Sequence, residues 1–112
     1  MIGPGELAIA LYVAAVGALF GLGMFCVVSR SNLVKMIIGI ELMGKAATLA
    51  FILGGFLNGD VGTSQGVVFT IIAIEAVVAA LALAFAVMGK SMFGTLDMSA
   101  INDAAAAEAD QK

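Results

Sequence analysis

The sequence predicts an all-α integral membrane protein of three transmembrane helices, and three observations carry that prediction. Of its 112 residues, 62% are hydrophobic and only 12% charged, against about 45–50% apolar and about 25% charged in ordinary soluble domains. The apolar residues fall into three runs, each able to supply the roughly 20 residues that cross about 30 Å of hydrocarbon. None of the runs has a period of two, so the in–out alternation of a membrane barrel is absent.

The first helix is expected over about 5–28. Pro4 suits a first turn but not a helix interior, and Leu7 to Val28 carries no charge for 22 residues. No basic residue precedes this run and it is longer than a signal-peptide core, so it reads as a retained span. Ser29-Arg30-Ser31-Asn32 breaks the run, and Asn32 or Ser31 suits the cap of a second helix over about 33–57. Asn58-Gly59-Asp60-Val61-Gly62 forms a turn cluster, with Asp60 a turn residue. The third helix is expected over about 64–89, with Gly89 as its terminator. Residues 1–90 thus form the transmembrane domain and 91–112 an acidic, Ala-rich cytoplasmic tail, whose composition fits a short helix or disorder.

The net charge of −3 belongs largely to that tail, which holds Asp97, Asp103, Glu108 and Asp110 among the eight acids. Nothing basic suggests nucleic acid. The chain has no His, and Cys26 is alone; this excludes a histidine-ligated metal, an internal disulfide and a cysteine cluster. Arg30 and Lys35 flank the first loop and Lys90 follows the third helix. The positive-inside rule therefore puts that loop and the C-terminus in the cytoplasm and the N-terminus outside. Gly17 with Gly21, and the stripe Ala76, Ala80, Ala84, are the expected places of close helix approach. Three thin helices enclose no cavity of their own, which favours a subunit of a larger assembly.

Three charges lie inside the spans: Glu41, Lys45 and Glu75. Glu41 is about 12 Å and Glu75 about 15 Å from the ends of their expected helices, too deep for a glutamate to reach water. An ionised acid there costs at least ~2.5 kcal/mol on insertion scales. Helix-gluing hydrogen bonds average only about 0.6 kcal/mol, and Ser or Asn would make them more cheaply. A carboxyl that exchanges a proton in mid-membrane is the basic part of a proton relay. Lys45 follows Glu41 by four residues in the favourable order for an ion pair. Gly44 leaves space beside that face and Thr48 continues it, as the polar lining of a path or interface. Glu75 has no charged neighbour within a turn, so its partner is expected in another subunit.

The stretch Ser29-Arg30-Ser31-Asn32, followed by Met36-Ile37-Ile38-Gly39-Ile40-Glu41-Leu42-Met43, resembles the K-type membrane subunit of complex I-type oxidoreductases, counterpart of the mitochondrial 4L subunit. Gln65-Gly66-Val67-Val68-Phe69 through Ile74-Glu75-Ala76 carries the second part of the resemblance, which spans about residues 5–90. It implies that Glu41 and Glu75 are the family's helix 2 and helix 3 glutamates, links in a buried chain of charges driven by electron transfer to a quinone-like carrier. It implies partners among the other membrane subunits, antiporter-like ones included, and the lipid bilayer of a prokaryotic plasma membrane. The subunit itself is expected to hold no cofactor, metal or catalytic residue. Family members often carry Asn where this chain has Lys45, and the tail is longer than usual. The alternative is the C-type subunit of a multisubunit cation/proton antiporter. A purely structural subunit is a further reading; a homodimeric small transporter is disfavoured because helix 1 has no acid within its run.

Overall fold

The computed structural model describes residues 2–29 and 31–111. Arg30, expected to mark the cytoplasmic loop, lies outside the described residues, as do Met1 and Lys112. The described chain is all-helical: α1 (Pro4–Ser29), α2 (Leu33–Leu57), α3 (Val61–Phe93) and α4 (Met98–Asp110). The first three are long and apolar enough to span a membrane. At about 1.5 Å per residue they measure roughly 39, 37 and 50 Å.

Each end has a local cause. Pro4 opens α1 where its missing N–H is no loss, and the Glu6 carboxylate accepts from the Gly3 N–H at 3.2 Å. The Asn32 side chain caps α2 by accepting from the Lys35 N–H at 3.1 Å. At the other end Asn58 donates to the Gly54 carbonyl through its side chain at 2.7 Å and through its backbone at 3.1 Å. Gly59 takes φ +70, a conformation open to glycine without steric penalty. Asp60 is more than a turn residue: its carboxylate accepts from the Thr63 N–H at 3.2 Å and starts α3 there.

The third helix is longer at both ends than expected. It runs through Gly89 and stops at Gly94, which has φ +70 and donates to the Lys90 carbonyl. A mid-helix glycine costs only about 1 kcal/mol, whereas the left-handed turn at Gly94 ends the ladder. The tail forms α4, capped by Asp97, whose side chain accepts from the Ser99 N–H at 2.9 Å. The linker into α4 pairs with the α1–α2 loop. The Leu33 N–H donates to the Leu96 carbonyl at 2.8 Å and the Met98 N–H to the Ser31 carbonyl at 2.6 Å, an antiparallel bridge centred on Asn32 and Asp97.

The helices lie in a flat row, 64 × 30 × 19 Å, with α2 in the middle packed on α1 and on α3. The α1–α2 crossing is at Gly23 and Gly39. A Cβ on Gly39 would stand 2.6 Å from the Gly23 carbonyl oxygen and 2.8 Å from Val27. Gly17 and Gly21 are exposed with nothing near them, because the face α1 turns to α2 is Tyr12, Val16, Leu19, Gly23 and Cys26. Ala76, Ala80 and Ala84 likewise point outward; the inward face of α3 is Val68, Ile71, Glu75, Ala79, Ala82 and Ala86. That set keeps the three- and four-residue steps of a helix face, with Glu75 in its middle.

Four apolar side chains form the buried core among the described residues (Ile37, Ala46, Val68 and Ala86), while Phe69, Val87 and Val28 are each more than 70% exposed. Such an exterior is far larger than the apolar patches soluble monomers show. It fits the three helices long and apolar enough to cross a membrane.

Candidate functional site

The middle of the α2–α3 seam holds the ionisable groups. Lys45 lies twelve residues into α2 and Glu75 fourteen into α3, about 18 and 21 Å from those helix starts. The Lys45 Nζ donates to Glu75 Oε2 at 2.6 Å. This corrects two expectations. The Lys45 ammonium bonds across the seam and not to Glu41, and the partner of Glu75 lies within the chain. The cause is register. The two residues stand fifteen before and fifteen after Asp60, so an antiparallel hairpin folded about that turn sets them at one level.

Gly44 makes the contact possible. A Cβ there would collide with Glu75 Oε1, so the missing side chain leaves the carboxylate its observed slot against the α2 backbone. The Glu75 side chain is 13% exposed, while that of Lys45 is 51% exposed on the outer surface of the seam. Glu75 Oε1 is buried and accepts no hydrogen bond among the described residues. Glu41 sits one turn toward the start of α2, about 6 Å along the axis, half-buried and within Coulombic range of Lys45. No salt bridge reaches Glu41 among the described residues.

Thr48 is buried, but its hydroxyl donates to the Gly44 carbonyl at 2.9 Å. Its donor is therefore used within its own helix, while its oxygen keeps lone pairs to accept with. Farther along, Ser64 donates to the Phe51 carbonyl at 3.1 Å and fits against Gly55. Sequence reasoning passed over this second clamp of the seam, although Gly55 and Ser64 straddle the Asn58–Asp60 turn in the same register. No group of three or more metal-ligating side chains comes together among the described residues. Among the described residues the seam brings together one cation, two carboxylates and the Thr48 hydroxyl.

Comparison with known proteins agrees with this picture. Residues 11–105 match the family described as NADH-ubiquinone/plastoquinone oxidoreductase chain 4L. NADH-quinone oxidoreductase subunit K 2 of Syntrophobacter fumaroxidans is 40% identical over 86 residues, covering 77% of this chain and 75% of that one. Subunit K of Chlorobaculum tepidum is 37% identical over 86 residues, with 75% and 78% covered. Subunit K 2 of Geobacter sulfurreducens is 44% identical over 73 residues, with 64% and 69% covered. These relatives do not favour the cation/proton antiporter alternative. Three membrane-length helices, a carboxylate in each of the last two, and a family match over most of the chain lead to one conclusion: the chain belongs to the chain 4L, or subunit K, family of NADH-quinone oxidoreductases.

Proposed function

We infer that this chain is a membrane-arm subunit of a proton-pumping NADH-quinone oxidoreductase in the plasma membrane of a prokaryote. In this reading Glu41, Lys45 and Glu75 are links of a proton path through the arm, with Thr48 on its wall. The N-terminus lies outside, and the first loop and the tail from about residue 91 lie in the cytoplasm. The subunit carries no redox centre; electron transfer elsewhere in the complex drives proton movement past it.

The observation that best supports this reading is the half-exposed Lys45 at mid-span. An ammonium at such depth facing lipid costs several kcal/mol, so that surface calls for polar cover from another subunit. Neighbouring antiporter-like subunits, with lipid on the remaining faces, would supply it. Purification in mild detergent is expected to bring iron–sulfur and quinone-reactive subunits with the chain. Recovery of the chain alone, or with antiporter subunits only, would overturn the reading.

A further inference from the structure

Beyond the Lys45–Glu75 pair, at the end away from the Asp60 turn, the α2–α3 seam opens to the outside. Val34 of α2, Leu83, Ala86, Val87 and Lys90 of α3, and Leu96 of the linker line a groove of about 460 Å³ there. Lys90 is the one polar side chain in that lining. The bond from the Leu33 N–H to the Leu96 carbonyl at 2.8 Å holds Leu96 across the end of the groove. Lys90 is exposed, has no acid within a turn on α3, and makes no salt bridge among the described residues. Asp97, the next acid along the chain, spends one carboxylate oxygen on the Ser99 N–H at 2.9 Å.

Depth sorts these groups. Lys90 stands twenty-five residues past Gln65, about 37 Å of helix against about 30 Å of hydrocarbon. Its stem can follow the apolar wall while its ammonium sits among headgroups. Leu83 lies about 10 Å deeper, inside the hydrocarbon. An occupant must therefore be apolar along Leu83–Val87 and anionic at Lys90. A transmembrane helix, about 10 Å across, would fill roughly 800 Å³ over that length and could only lie on such a groove. An acyl chain fits within it.

We propose that this groove is a binding site for an anionic phospholipid, with one acyl chain along Leu83, Ala86 and Val87 and the phosphate on the Lys90 ammonium. Basic pockets between transmembrane helices take anionic headgroups in this way. The site stands apart from the proton path and does not rest on it.

The test is photolabelling of the assembled complex in phosphatidylcholine vesicles. The probe is a trace of phosphatidylglycerol with a diazirine on one acyl chain, and phosphatidylcholine carrying the same chain is the reference. The phosphatidylglycerol probe is expected to label the peptide holding Leu83–Val87 about fivefold more than the reference, the worth of one basic residue beside an anionic headgroup. Lys90→Gln should remove that excess and Lys90→Arg keep it. Lys35→Gln should leave it unchanged, since the Lys35 ammonium lies on the α1 side of α2, 5.6 Å from the Phe25 ring centroid. Equal labelling by the two probes means boundary lipid only and overturns the proposal. So does an unlabelled groove, which means that another subunit covers it. An equal drop in the Lys35→Gln and Lys90→Gln variants means a diffuse surface potential and overturns it too.

Discussion

Gly44→Ala is the smallest change that reaches the centre of the seam. The added methyl collides with Glu75 Oε1, so the carboxylate must retreat by about 1 Å or more to reach ordinary contact near 3.5 Å. The Lys45–Glu75 bond, at 2.6 Å, has roughly 0.6 Å of slack before it leaves the range of a good N–H···O bond. Retreat therefore breaks the bond or drags Lys45 out of position. A hydrogen bond to a charged group contributes about 1.5–3 kcal/mol, and the exposure of Lys45 argues for the low end. Replacing a helical glycine by alanine returns about 0.5–1 kcal/mol. The folded subunit loses about 1 kcal/mol net. The ratio of paired to unpaired states, which the propensity does not touch, falls by the bond's own share of about 1.5 kcal/mol, roughly tenfold. The assay is proton uptake per NADH oxidised by the complex in proteoliposomes, with assembly checked beside it. Gly54→Ala, where nothing lies within 4 Å, is the control. Wild-type pumping by a fully assembled Gly44→Ala complex would refute the argument that this slot serves the pair.

Three further outcomes follow from the geometry. Glu41→Gln and Glu75→Gln should each lower proton pumping by the whole complex while it still assembles; normal pumping in both would leave the acids a structural role at most. Gly39→Val places a side chain where a single Cβ already meets the Gly23 carbonyl at 2.6 Å. Overpacking of this kind costs about 1–3 kcal/mol, and detergent-solubilised complex should lose the subunit on mild heating, unlike a Gly54→Val control. Met98→Pro deletes the N–H that bonds Ser31 at a first helical position where proline is otherwise tolerated. The loss of about 0.5–1.5 kcal/mol should speed proteolysis within α4 and leave pumping intact.

Local chemistry was legible in the sequence where a side chain serves its own segment. Asn32 marks the start of α2 because its amide finds the Lys35 N–H three residues on, and both bounds of α2 follow from its flanks. The end of α3 was misread, since Gly89 and Gly94 look alike as letters and only Gly94 adopts the left-handed turn. Packing faces were hidden for a related reason: any two small residues four apart make a plausible seam, and which seam is used depends on the partner helix. The site was half legible. Depth and cost identified Glu41, Lys45 and Glu75, but the short-range pairing rule pointed Lys45 at Glu41. Its bond to a residue thirty positions away overrode that rule. The hairpin register about Asp60 contained the answer.

The bridge between the first loop and the linker into α4 has a mechanical consequence. It joins the chain at the start of α2 to the chain just past α3, and the Asn58–Asp60 turn joins the same two helices at their other ends. The pair is thus a closed frame, fastened top and bottom. Sliding one helix past the other by a turn, about 5.4 Å, would tear both fastenings together with the Lys45–Glu75 bond. The fastenings therefore fix the register of α2 against α3, and with it the level at which Lys45 meets Glu75.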